Sequence, residues 1–139
     1  MIPVVFDTSV IISAIGWRGP AHRCLALVAR HRCRLVITSD VLTEYERRVP
    51  EILAVEAPHA NVAGPLGWIR DKAWLVEPAA LGKRRSRDVK DDRILAAALA
   101  VSAQAIVSYD EDLLVLEKPF GIPILRPPRF LEWFVQEHG

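Results

Sequence analysis

Short, continuous apolar runs alternate along the chain with longer stretches whose apolar residues fall three and four apart, the two patterns that distinguish buried strands from helices. Pro3-Val4-Val5-Phe6, Arg34-Leu35-Val36-Ile37, Trp74-Leu75-Val76-Glu77 and Ala105-Ile106-Val107-Ser108 predict strands. Ile122-Pro123-Ile124-Leu125 is a fifth candidate, and its proline places it at a sheet edge or a strand end. Helices are predicted over 22–31, 41–49, 91–103 and about 128–137. Cys24, Leu25, Leu27 and Val28 mark the apolar face of the first, and Ser39-Asp40 caps the second. Ile94, Leu95, Ala98 and Leu99 form the stripe of the third, and Pro127-Pro128 starts the last. The stretch 50–71, rich in Ala, Pro and Gly, holds one or two further helices, and Lys83-Arg84-Arg85-Ser86-Arg87 reads as an exposed loop.

Strands that are apolar on both faces and alternate with helices belong to a mainly parallel sheet covered on each side. The expected architecture is therefore three-layer α/β/α, with four or five strands in a single domain spanning 1–139. A chain of 139 residues buries a core without disulfide or zinc staples, and 51% hydrophobic with 25% charged residues excludes disorder. Net charge is +1, so any contact with nucleic acid needs a local basic patch. Cys24 and Cys33 form no CxxC pair and read as buried free thiols, which suits a reducing compartment. Met1 to Phe6 lacks the basic flank of a signal peptide, and no apolar run reaches membrane-spanning length. A cytoplasmic protein without membrane attachment is expected.

Acidic residues fall at one recurring place. Asp7 directly follows the first strand, and Asp110 and Asp112 follow the fourth. Asp91 and Asp92 open the helix before that fourth strand, and Glu44 lies about one turn into the helix after the second. In open parallel sheets, ligands bind beyond the carboxyl ends of the strands, where these segments converge. Taken singly, each acid has an ordinary explanation as a helix cap, a dipole partner, a turn former or a solvated side chain. Taken together, crowded carboxylates repel one another and make physical sense chiefly around cations. Oxygen-only ligation, with no local His or Cys, suits Mg²⁺ or Mn²⁺ and phosphoryl chemistry. Neither a P-loop nor a dinucleotide fingerprint follows the first strand, which disfavours ATP hydrolysis and hydride transfer.

Four segments resemble the motifs of PIN domains, in order and over nearly the whole chain. Val5-Phe6-Asp7-Thr8-Ser9-Val10-Ile11-Ile12-Ser13-Ala14 is similar to the opening strand and turn. Val36-Ile37-Thr38-Ser39-Asp40-Val41-Leu42-Thr43-Glu44 resembles the second motif, and Asp91-Asp92-Arg93-Ile94-Leu95-Ala96-Ala97-Ala98 the third. Ile106-Val107-Ser108-Tyr109-Asp110-Glu111-Asp112-Leu113-Leu114 resembles the fourth, a Thr or Ser followed by Asp-x-Asp. The nearest subgroup is the toxin component of bacterial toxin–antitoxin pairs, relatives of the VapC-like ribonucleases. This resemblance implies Mg²⁺- or Mn²⁺-dependent cleavage of single-stranded RNA to a 5′-phosphate and a 3′-hydroxyl. It also implies homodimerisation and inhibition by a small antitoxin protein.

On the same resemblance, Asp7 and Asp92 are expected to hold the principal metal, with Asp110 a direct or water-mediated ligand. Glu44 binds that ion through water or takes the proton of the attacking water. Asp112 supports a ligand or binds a second ion; Ser9 orients Asp7, and Thr8 is structural. The third ligand stays open between Asp91 and Asp92: spacing to Leu95-Ala96-Ala97 favours Asp92, whereas Asp91 shares a helix face with Leu95. Asp88, followed here by Val89 where relatives carry proline, is a lesser candidate. Arg18, Lys83, Arg84, Arg85 and Arg87 are the expected substrate-binding cations, and Trp17 stacks on a base or meets a partner. Trp68, Trp74 and Trp133 read as packing residues, and the four histidines as surface or helix positions. Three other classes compete: a flap-type DNA nuclease, an inactive PIN scaffold that binds a regulator, and a phospho-acceptor regulator. The last needs a lysine after a late strand, where this chain offers Asp110.

Overall fold

A computed structural model describes residues 1–85 and 89–139. Five strands, β1 (Ile2–Phe6), β2 (Cys33–Ile37), β3 (Trp74–Leu75), β4 (Ala105–Val107) and β5 (Ile124–Leu125), form one sheet in the order β3-β2-β1-β4-β5. Every pairing is parallel, with Val4 beside both Leu35 and Ala105, and Phe6 beside Val107. Among the described residues the helices are α1 (Thr8–Gly16), α2 (Pro20–Ala29), α3 (Ser39–Glu56), α4 (Ala63–Lys72), α5 (Val89–Ala100), α6 (Glu111–Leu114) and α7 (Pro127–His138). They flank the sheet as the expected three-layer α/β/α arrangement. The fifth strand, which begins directly after Pro123, lies at an edge.

Val4, Val5, Phe6, Ile106 and Val107 are fully buried, as central parallel strands covered on both faces require. Phe6 meets Phe130 of α7 edge-on at 6.2 Å, which ties the last helix to the central strand. Cys24 and Cys33 are buried free thiols, and burial pushes each up to about 12, so both stay protonated.

Three elements depart from the sequence expectation. The segment after β1 is a helix of 9 residues rather than a turn. Asp7 caps it by accepting from the Ser9 and Val10 amides, and its β-branched run Val10-Ile11-Ile12 hides the helical period. Helix α3 runs through Pro50 to Glu56 instead of stopping at Val49. An interior proline costs about 3 kcal/mol or more, but Val49 and Leu53 are fully buried beyond the first turns. Each contributes roughly 1.5–3 kcal/mol by burial, enough to carry the helix onward. The third strand is shortened to Trp74–Leu75, and Trp74 is half-exposed, stacked under the Arg34 guanidinium rather than packed in the core.

Candidate metal centre

The strand order reverses direction between β1 and β4, which opens a crevice at their carboxyl ends. Asp7 leaves β1 at that point, and its amide still donates to Val107 O of β4 at 3.0 Å. Its carboxylate is 5% exposed and held on both oxygens. Oδ1 accepts from the Ser9 amide at 2.8 Å and from the Ser9 hydroxyl, and Oδ2 accepts from the Ser108 hydroxyl. Those hydroxyls accept in turn from the loop after β4: Tyr109 N donates to Ser9 Oγ at 3.1 Å, and Asp110 N to Ser108 Oγ at 2.8 Å. Two serines thus lace the β1–α1 turn to the β4–α6 turn across the crevice.

Glu44 arrives from α3, a helix that Thr38 caps by accepting from the Val41 amide at 3.2 Å. Thr8 Oγ1 donates to Glu44 Oε2, whereas Oε1 is buried without a hydrogen-bond partner. The next residue, Tyr45, is fully buried, and its hydroxyl donates to Phe6 O directly behind Asp7. Burial, then the nearby negative charges of Asp7 and Glu44, hold Tyr45 well above the usual phenol range. It remains a neutral donor that braces the end of β1.

Asp7, Thr8, Ser9 and Glu44 line a cavity of about 110 Å³ together with Ile12, Arg48, Asp91, Ile94 and Asp110. Asp91 is 6% exposed, and one oxygen each from Asp91, Asp110 and Asp112 lie within 4.8 Å of one another. Asp110 caps α6 through the Asp112 amide at 2.9 Å. Desolvation by burial raises the Asp7 pKa, against the lowering effect of the hydrogen bonds from Ser108 and Ser9.

Of the predicted acids, Asp7, Glu44, Asp91 and Asp110 meet at one cavity, and Asp112 stands beside two of them. Asp92 does not line it. Its oxygens accept from the Arg85 amide at 3.2 and 3.0 Å, on the wall of a second cavity of about 470 Å³. Adjacent residues differ by about 100° around a helix, so only one of the doublet faces a given groove. Of the two residues left open for the third ligand, Asp91 is the one that lines this cavity. Lys83 and Arg84 line that second cavity too, and Arg85 donates to Leu81 O and lies over Phe120. Arg18 is displaced further. With α1 helical and spanning roughly 13 Å at 1.5 Å per residue, Arg18 lies beyond its far end, in a groove with Trp17, His22 and His59. Arg87 and Asp88 lie outside the described residues. Three participants went unread in the sequence: Ser108 as a clamp on Asp7, Thr8 as the partner of Glu44, and Arg48 on the cavity wall. A hydroxyl directly after an apolar strand, and a cation four residues after Glu44 on one helix, were the available signals.

Residues 3–112 match the family model described as PIN domain. The chain belongs to the PIN-domain family. No curated protein matches it. PIN domains are in general nucleases that use divalent metal ions, and the cavity fits such an ion on its own evidence. Its donors are all oxygen, which a hard cation prefers. Among the described residues, Glu44 Oε1 is a buried acceptor left without a hydrogen-bond partner, and one bound cation would satisfy it while relieving the repulsion among the acids. No helix among the described residues is long and apolar enough to cross a membrane.

Proposed function

We propose that this PIN domain is an Mg²⁺- or Mn²⁺-dependent endoribonuclease that cleaves single-stranded RNA, acting in the cytoplasm as the toxin of a toxin–antitoxin pair. The observation that carries the reading is the convergence of Asp7, Glu44, Asp91 and Asp110 on one small cavity, where Glu44 also has one oxygen buried without a hydrogen-bond partner. Asp7, Asp91 and Asp110 are the residues that would hold the ion, with Asp112 beside them and Glu44 close enough in the cavity to join. A divalent ion bound there supplies a Lewis acid for a phosphate oxygen and lowers the pKa of water.

The protein's own groups then have separable tasks. Ser9 and Ser108 fix the Asp7 carboxylate in one rotamer, so no reorganisation is needed when substrate arrives. Thr8 occupies one oxygen of Glu44 and leaves Oε1 either to meet the ion through water or to accept the proton of the attacking water. As the water oxygen bonds to phosphorus, the bond from phosphorus to the 3′-oxygen breaks. The products are a 5′-phosphate and a 3′-hydroxyl, the latter protonated from solvent. Ile12 and Ile94 narrow the cavity and limit bulk water.

Partner contacts follow the same resemblance. A small antitoxin that covers the acidic cavity and a second copy of the chain are the expected partners, and a short open reading frame beside the gene would support the first. The direct test incubates a mixed RNA pool with the wild-type chain and with Asp7→Asn, with and without Mg²⁺ or Mn²⁺, with single-stranded DNA in parallel. Cation-dependent RNA cleavage by the wild type alone is expected. Equal cleavage by both proteins would expose a contaminant, preference for DNA would move the substrate class, and no cleavage by either would favour a binding module.

A further inference from the structure

Arg48 is a cation on the wall of a cavity whose other charged residues are Asp7, Glu44, Asp91 and Asp110. It stands four residues after Glu44 on α3, so their Cβ atoms are neighbours at about 5–6 Å. A glutamate preceding an arginine at that spacing is the favourable order for a helix ion pair. No such pair forms. Glu44 takes the Thr8 hydroxyl instead, and Arg48 has no ion-pair or hydrogen-bond partner among the described residues. A half-buried guanidinium with five donors, facing a cavity and pairing with none of its acids, is left available for an incoming anion.

Charge counting gives that availability a use. Four cavity carboxylates and one divalent ion leave two negative charges, and Arg48 reduces this to one. A phosphodiester brings a further negative charge, so its entry is opposed in proportion to what remains uncompensated. Resting on the nuclease reading above, we infer that Arg48 is the substrate-binding cation of the site, donating to a non-bridging oxygen of the phosphate held over the carboxylates. Guanidinium suits this task because it recognises phosphate through a planar fork and keeps its charge at any working pH. Neither the loop cations at Lys83 and Arg84 nor the distant Arg18 lines this cavity, so Arg48 carries the task alone there among the described residues.

The inference makes two observables move in opposite directions. Arg48→Gln and Arg48→Met remove the charge, the latter keeping the apolar stem, so that one serves if the other does not fold. Arg47→Gln on the same helix is the control, since Arg47 is exposed and does not line the cavity. Mn²⁺ binding, followed by electron paramagnetic resonance, should be unchanged or tighter in both Arg48 variants. For a single-stranded RNA oligonucleotide, KM should rise about tenfold, the loss of one charge-assisted contact. The slope of log(kcat/KM) against log salt should flatten by about 0.7, as for one phosphate contact on a single strand. Arg47→Gln should match the wild type in both. Wild-type KM and salt slope in the Arg48 variants would overturn the inference while leaving the nuclease reading intact. So would weakened Mn²⁺ binding, which would make Arg48 a structural support. Failure of the wild type to cleave any RNA would remove the nuclease reading and the inference with it.

Discussion

Two cavities share the first turn of α5, and they treat consecutive aspartates differently. On one side Asp91 groups with Asp110 and Asp112, at a cavity of about 110 Å³ that Asp7, Glu44, Asp91 and Asp110 line together with Arg48. On the other, Asp92 lies in about 470 Å³ that includes Lys83, Arg84 and Arg93, and both its oxygens accept from the Arg85 amide. Asp92 accepts from a backbone donor in a cavity that also carries cations. Asp91 brings its carboxylate to Asp110 and Asp112, a grouping in which close acids repel one another and a bound cation would relieve the repulsion. The difference shows why a carboxylate count along the sequence does not locate a metal site. What matters is which of the acids the fold gathers at one place.

The contrast can be broken at several points. The largest effect is expected at Asp7. Asparagine caps helices about as well as aspartate, so Asp7→Asn should keep α1 yet lower the cleavage rate by more than about 100-fold, beyond the usual loss for a supporting residue. Ser108→Ala, which frees Asp7 Oδ2 and unties the Asp110 amide, should cost about 10–100-fold in rate or metal affinity. A loss no greater than that of an exposed serine elsewhere would count against the lacing of the two turns. Replacing Lys83 and Arg84 together by alanine should weaken RNA binding only about severalfold and flatten its salt dependence, without touching the metal. An outright loss of Mn²⁺ binding in that variant would merge the two cavities into one functional unit.

A stability measurement sharpens the same comparison. Burial raises the Asp7 pKa above its ordinary 3.8, so the metal-free fold binds more protons there than the unfolded chain does. The stabilisation is complete below 3.8 and is lost as pH climbs through the raised value. Metal-free Asp7→Asn should therefore melt above the wild type at neutral pH, with the gap closing on acidification. A gap that widened toward acid would mean that Asp7 is stabilised as the anion.

Much of this was legible in the residues. Apolar runs at Val4-Val5-Phe6, Leu35-Val36-Ile37 and Ala105-Ile106-Val107 can only be covered on both faces, and that alone implies a parallel sheet with acids collected at its carboxyl edge. The illegible parts have physical causes. The β-branched residues after Asp7 favour a strand locally, and only their packing makes them helical, which is why Arg18 was expected so near the acids. Pro50 reads as a stop until the burial of Leu53 is known. Asp91 and Asp92 are equivalent in composition and capping propensity, and rotation of α5 alone separates them. Arg48 is one of two arginines in α3, and before the cavity is known only its place four residues after Glu44 sets it apart from Arg47.

The most direct test compares Mn²⁺ affinity in the wild type, Asp91→Asn and Asp92→Asn by electron paramagnetic resonance on the folded, full-length proteins. Asp91→Asn should bind the ion at least about tenfold more weakly, with Asp92→Asn indistinguishable from the wild type. Retained affinity in Asp91→Asn with loss in Asp92→Asn would place the ion on the other side of α5 and contradict the site described above.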